Sequence, residues 1–185
     1  MDFGEGMGSS AILAGRLYNG PLPLSGEIGH TPVAGNTRIC GCGGVGCIET
    51  LMSRRGLVTT FRTLRQNAHA TWENFRDHVL SHGLEPWLAA QLDSAAGVIA
   101  GSLNLLGLRR AVITGSVAEL GPNVEHHFCD AIAKSAVWAR FGSIECTIER
   151  RHRVVGMVAM GLLQQLHGGG PMLEEAAPLP FVQKA

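Results

Sequence analysis

Three cysteines fall within eight residues, Cys40-Gly41-Cys42-Gly43-Gly44-Val45-Gly46-Cys47. Thiolates are soft ligands, and zinc takes four ligands in a tetrahedron at about 2.0–2.3 Å. The glycines between the cysteines permit positive φ, so a short loop can turn all three sulfurs inward. A fourth ligand must come from outside the loop. His30, ten residues before Cys40 and preceded by a glycine, is the nearest candidate. A Cys3His site with every position filled is structural, because no position stays open for water. The alternatives are three free thiols in a glycine loop, or a redox pair. Cys129 and Cys146 read as small core residues on a helix face and in a strand.

Two carboxylates flank this loop, Glu27 and Glu49. By themselves they read as a solvated turn carboxylate and a first-turn glutamate favoured by the helix dipole. His126-His127 reads as a helix face. His78 and His82 have i,i+4 spacing that suits a metal on a helix, but Gly83 follows at once and no third ligand is evident. Glu149-Arg150-Arg151-His152-Arg153 reads as a solvated run.

Residues 1–56 hold the densest glycines and predict strands and tight turns. Ser10–Leu17 predicts two short strands around Ala14-Gly15. Cys47–Arg55 predicts a helix that Gly56 would end. Further helices are predicted over Leu57–Leu64, Thr71–Leu80 and Glu85–Leu106, the last buried on more than one face. Arg110–Gly115 predicts a short buried strand. Val117–Arg140 predicts a helix restarted at Gly121-Pro122. Ser143–Ile148 alternates as a strand, and Val154–Leu166 predicts a closely packed Gly/Ala/Met-rich helix. This order implies an α/β domain with a mixed sheet. From Gly168 onward apolar periodicity is lost, so residues 1–167 read as one lobe and 168–185 as a loose tail.

The 185 residues carry 15 Lys+Arg against 15 Asp+Glu, a net charge of zero with His neutral. That balance is unlike a nucleic-acid-binding surface or a polybasic membrane patch. With 45% hydrophobic and 16% charged residues, the chain is too apolar for disorder. No run reaches the roughly 18 apolar residues of a membrane span. The opening residues show no signal-peptide pattern. An odd cysteine count is poor disulfide arithmetic, and the expected compartment is a reducing cytoplasm.

Gly26-Glu27-Ile28-Gly29-His30 followed by Cys40-x-Cys42-Gly43-x-x-Gly46-Cys47-x-Glu49 resembles the signature of the ROK family of repressors, open reading frames and sugar kinases. Gly4-Glu5-Gly6-Met7-Gly8, Gly15–Gly20 and Arg153–Leu162 resemble the family's glycine turn, hairpin and closing helix. The resemblance implies an actin-like, ribonuclease-H-like α/β lobe with a mixed sheet, a helical insertion and a zinc-binding loop over residues 30–49. It implies zinc on His30, Cys40, Cys42 and Cys47, and a hexose or N-acetylhexosamine held by Glu27, His30 and Glu49. His30 would bind zinc with one ring nitrogen and face the sugar with the other.

The chain departs from the kinases of that family in three respects. It lacks the D-x-G-x-T phosphate loop and a catalytic aspartate, so it reads as the C-terminal half of a longer protein, with no catalytic residue assigned. At Gly4-Glu5-Gly6, where kinases carry G-T-G, Glu5 sets a carboxylate beside the phosphate position. At about 5 Å and an effective dielectric of about 20, that costs on the order of 3 kcal/mol. Where a glycine run faces adenosine, the chain reads Gly115-Ser116-Val117, whose side chains are expected to crowd a nucleotide. The implied function is the sugar-sensing, oligomerising lobe of a NagC-type transcriptional regulator, with DNA bound only through a helix-turn-helix domain outside this sequence. The alternative is half of a sugar kinase using ATP and Mg2+, and a ligand-free scaffold is the third reading. An apolar helix and open strand edges predict a homo-oligomer.

Overall fold

The computed structural model describes residues 1–18 and 26–166. Asn19 and Gly20 of the expected hairpin, His167 and the tail 168–185 lie outside the described residues. Chain contacts divide the expected lobe into two compact units. Among the described residues, one holds 1–11 and 26–150 and the other 12–18 and 151–166.

The larger unit is built on a four-stranded mixed sheet in the order β2-β1-β5-β6, with strands β1 (Asp2–Phe3), β2 (Met7–Gly8), β5 (Arg110–Gly115) and β6 (Glu145–Glu149). β2 runs antiparallel to β1, with Phe3 opposite Met7. β1, β5 and β6 are parallel, with Phe3 paired to Gly115 and Ile113 to Ile148. The turns after β1 and β5 therefore emerge side by side at the carboxyl ends of parallel strands, where open α/β sheets present their ligand clefts.

The cysteine loop and four helices lie between β2 and β5: α1 (Glu49–Met52), α2 (Arg54–Arg65), α3 (Trp72–His82) and α4 (Pro86–Leu106). Helix α5 (Pro122–Ser135) follows β5. Pro86 and Pro122 stand at the first helical positions of α4 and α5, where the missing N–H has no intrahelical role. Leu88, Leu92, Ala95, Ala96, Ile99 and Leu103 form the buried stripe of α4, which packs on α5. Val124, Phe128 and Ile132 of α5 join Phe3 and Ile113 of the sheet in one core. The Phe3 and Phe128 rings meet edge to face, 5.6 Å apart.

The structure corrects three details of the sequence reading. Gly56 does not end a helix. The chain breaks at Ser53, whose extended backbone and side-chain oxygen cap α2 by accepting from Gly56 N (3.1 Å). Glycine is required at 56 because a Cβ there would lie 2.6 Å from Thr50 O. β5 is buried on one face only: Ala111 and Ile113 are covered, while Val112 is 44% exposed. The long helix α4 finds much of its expected cover inside the chain, although Leu105 stays exposed.

The smaller unit holds the antiparallel pair β3 (Ile12–Leu13) and β4 (Arg16–Leu17), joined through Ala14-Gly15 with φ of 49° and 76°. It also holds helix α6 (Arg153–Leu166). Val154, Val155, Met157 and Val158 of α6 are exposed.

Glycine demand differs sharply between two positions in the larger unit. Gly115 has φ of 98° and a Cβ there would meet Phe3 O at 2.0 Å, whereas Gly97 in α4 has open space around it. Gly115→Ala is expected to lower stability by at least about 2 kcal/mol. Gly97→Ala is expected to raise it by about 0.5–1 kcal/mol. Urea midpoints of the two variants check the contrast.

Candidate metal centre and adjoining glycine turns

The cysteine loop is a small hairpin on the start of α1. Val33 N donates to Gly46 O (2.9 Å), Gly46 N to Arg38 O (2.9 Å) and Cys40 N to Gly44 O (2.8 Å). Gly43 and Gly46 have φ near 90°, and a Cβ at 46 would lie 2.8 Å from Asn36 O. Gly44 leaves room beside the sulfurs: its Cβ would sit 3.4 Å from Cys42 Sγ and 3.6 Å from Cys47 Sγ.

This folding brings His30, Cys40, Cys42 and Cys47 together, with ligand atoms all within 4.8 Å of one another. Among the described residues they form the one His/Cys/Asp/Glu group able to hold a metal ion. His30 Nδ1 lies 3.5 Å from Cys40 Sγ, and Cys42 Sγ lies 3.7 Å from Cys47 Sγ. Zinc bond lengths of about 2.3 Å to sulfur and 2.0–2.1 Å to nitrogen imply tetrahedral edges of about 3.8 Å and 3.6 Å. The residues therefore fit a thiophilic dication. Nδ1 faces the sulfurs, and the other ring nitrogen, Nε2, lies 3.6 Å from Glu27 Oε2. A carboxylate on the far nitrogen is the usual partner of a metal-bound histidine.

The thiols differ in acidity. The Gly44 N–H directed at Cys42 Sγ (3.4 Å), helped by the neighbouring thiols, pulls Cys42 below the ordinary thiol range. Burial, and then the Cys42 and Cys40 thiols, push Cys47 well up. A bound dication supplies the charge that lets all three ionise together.

The loop is braced by two residues that sequence inspection passed over. Asn36 Nδ2 donates to Cys47 O (3.0 Å) and Thr50 Oγ1 (2.9 Å). Arg38 donates to Thr50 O (2.7 Å), Gly56 O (3.3 Å) and Thr60 Oγ1 (2.8 Å), and burial lowers its pKa. An Asn and an Arg in a loop carry no local signal of such roles.

Of the three expected sugar contacts, Glu27 is half exposed beside His30, which is less so. Glu49 is already engaged: its Oε2 accepts from Met7 N (2.8 Å), and its Oε1 lies 4.0 Å from Cys40 Sγ. Gly4-Glu5-Gly6 forms the turn between β1 and β2, closed by Gly4 N to Gly6 O (2.9 Å). Glu5 is exposed, 4.0 Å from Arg54 Nε. Arg54 also donates to Glu119 (3.1 Å) and stacks over Trp72, whose indole N–H donates to Glu119 as well (2.9 Å). One guanidinium thus stands between two carboxylates beside the glycine turns. The expected crowding at Ser116 and Val117 is not found. Ser116 Oγ donates to Phe3 O (2.8 Å) and Val117 is fully buried, so both side chains serve the core.

Four further histidines and the other two cysteines lie away from the cluster. His78 lies against Arg65 and Glu85 (3.4 Å) and stacks on His82. His126 faces Asp130 (3.3 Å) and His127 faces Asp93 (2.8 Å). Cys129 and Cys146 are free, half-buried neighbours whose pKa values rise through burial.

The ROK family profile matches residues 1–161. The chain belongs to the ROK family. Both arms of that family are among its relatives. A xylose repressor of Caldicellulosiruptor bescii is 31% identical over 78 residues, covering 40% of this chain and 20% of the repressor. An N-acetylmannosamine kinase of Escherichia coli strain 536 is 43% identical over 54 residues, covering 29% of this chain and 19% of the kinase. The fold is that of ROK structures. A ROK transcriptional regulator homologous to the Escherichia coli MLC protein superposes with a TM-score of 0.66 at 19% identity, covering 89% of this chain and 44% of the regulator. The chain thus spans about a fifth of these two curated relatives and less than half of that structure.

Because Cys47 keeps its proton well above neutral pH, a metal entering the cluster must displace it. Zn2+ affinity is therefore expected to rise with pH, by about tenfold per unit for each thiol proton released. Chelator competition at pH 6 and pH 8 measures the slope, and a flat profile would show that no thiol is ionised on binding.

Proposed function

We propose that this chain is the sugar-sensing lobe of a ROK-family transcriptional regulator, stabilised by a structural zinc ion. The observation that carries this reading is the two-sided geometry of His30. One ring nitrogen faces the sulfurs and the other faces Glu27. His30 Nδ1 and the sulfurs of Cys40, Cys42 and Cys47 would hold the zinc. When bound, it supplies a fixed charge that sets the imidazole tautomer and orders the loop.

His30 then presents an N–H, and Glu27 a carboxylate, to one ligand. That pairing suits vicinal hydroxyls, which both donate and accept. A hexose or N-acetylhexosamine is the ligand class. Glu49 would contribute through Oε1, since Oε2 is bound to Met7 N. Sugar binding would act on transcription by favouring one conformer of a longer protein over another. Residues 1–167 form the lobe in this reading and 168–185 a tail. Self-association and DNA contacts made by a helix-turn-helix domain outside this chain complete the proposal, with the cytoplasm as its compartment.

The regulator is preferred to the kinase because of the charge beside Gly4-Glu5-Gly6. Glu5 and Glu119 set two carboxylates there, both against Arg54. A triphosphate would meet both carboxylates at that turn. The kinase reading keeps one specific support, the 43% identity to an N-acetylmannosamine kinase.

A panel of hexoses and N-acetylhexosamines offered to the zinc-loaded chain tests the proposal. The matching sugar, at about 100 times its Kd, is expected to add about 2.7 kcal/mol of stability. Glu27→Gln is expected to abolish most of that gain, while millimolar MgATP leaves the melting temperature unchanged. Stabilisation by MgATP, or ADP release with a sugar by the full-length protein, would transfer the assignment to the kinases.

A further inference from the structure

The turn from Gly4 to Ser9 is held at three points by the segment that carries the cysteine loop. Gly4 O accepts from Arg54 N (2.8 Å), and Ser9 N donates to Gly26 O (2.7 Å). Between these backbone bonds, Met7 N donates to Glu49 Oε2 (2.8 Å), the one side-chain contact of the three. Glu49 stands two residues after Cys47, and its other oxygen is 4.0 Å from Cys40 Sγ. The carboxylate therefore spans from a sulfur of the cluster to a backbone amide of the turn.

There is little slack in this span. A Cβ at Gly6 would lie 2.9 Å from Glu49 Oε2. A Cβ at Gly29, beside His30, would lie 2.7 Å from Met7 O and 3.3 Å from Glu49 Cβ. Three segments thus cross at one place with only hydrogen atoms between them. A displacement of the loop that moves Cys40 or Cys47 moves the carboxylate, and the carboxylate carries the Met7 amide.

We propose that Glu49 is a positioning residue through which metal occupancy of the His30, Cys40, Cys42 and Cys47 cluster sets the order of the Gly4–Ser9 turn. This rests on reading the cluster as a metal site. A metal ion ties the Cys40 and Cys47 sulfurs to one point, fixing the start of α1 and with it the Glu49 backbone. The carboxylate then holds Met7 N in place. That turn lies beside Gly115 at the carboxyl ends of β1 and β5, so loading of the loop is transmitted to the edge of the sheet cleft.

The test is amide hydrogen exchange of the chain with Zn2+ and after chelation, with zinc content measured on the same samples. In the unaltered chain zinc is expected to slow exchange of the Met7 amide by about tenfold, the effect of one hydrogen bond to a charged group. Gly6→Ala retains Glu49 and all four ligands but pushes the carboxylate off Met7. It should bind one zinc per chain while the slowing falls below about twofold. Glu49→Ala should behave likewise and serves if the first variant does not fold. Glu49→Gln keeps an acceptor and should recover most of the slowing. Full slowing in a zinc-loaded Gly6→Ala or Glu49→Ala variant overturns the proposal, as does a turn in the zinc-loaded unaltered chain that ignores the metal. Absence of bound zinc in the unaltered chain overturns the metal reading itself, and the zinc content separates the two failures.

Discussion

At Gly29 the backbone of the segment leading to His30 passes so close to β2 that an added Cβ would sit 2.7 Å from Met7 O and 2.8 Å from Met7 Cβ. This crossing sets the relation between the cysteine loop and the sheet. Met7 is buried in the core on one side, and Glu49 closes on its amide from the other. If the crossing opened, His30 would leave the sulfurs and Glu49 would leave the turn. A close backbone approach of this kind has few alternatives, because interiors pack without space for a displaced side chain.

Around that crossing, the larger unit divides its work by chemistry. Apolar contact is concentrated in α4, α5 and the covered face of the sheet, where Leu92, Ile99, Ile113 and Phe128 are fully buried. Polar contact is concentrated in the loop and the turns. Arg38 and Asn36 satisfy carbonyls that a compact loop would otherwise leave without partners. The histidine and cysteine cluster sits on a frame held by hydrogen bonds, with the hydrophobic core behind it at Ile48 and Met52. A loop of this composition has too few apolar side chains to fold on packing alone, which is the circumstance in which a structural ion contributes most.

The surroundings of the glycine turns bear on the family's two arms. Gly115 is demanded by its positive φ and by the nearness of Phe3 O, both features of the sheet itself. Its presence is therefore no sign of a nucleotide. Ser116 and Val117, turned into the core, are no sign against one either. The proposed preference between the arms rests instead on the charge at the turn, where Glu5 and Glu119 flank Arg54.

Much of the fold was legible in the sequence because it is written in local patterns. The Arg110–Gly115 strand, the Pro122 helix start and the Ala14-Gly15 turn follow from alternation, a missing N–H group and glycine. The grouping of Cys40, Cys42 and Cys47 is suggested by spacing, since separations of two and five residues in a glycine-rich loop let the backbone turn the sulfurs together. The fourth member, His30, was reachable by proximity in the chain. The Ser53 break was not legible, because its cause is the close stacking of α2 on the end of α1 at Gly56. Nor were the Glu49 bond to Met7, 42 residues away, and the Arg54 pair with Glu119, 65 residues away. Sequence determined which residues favour strand, helix, turn or metal ligation, since those preferences depend on neighbours within a few positions. Tertiary structure decided which carboxylate meets which amide or guanidinium, because that depends on how distant segments cross, and no local preference carries the crossing.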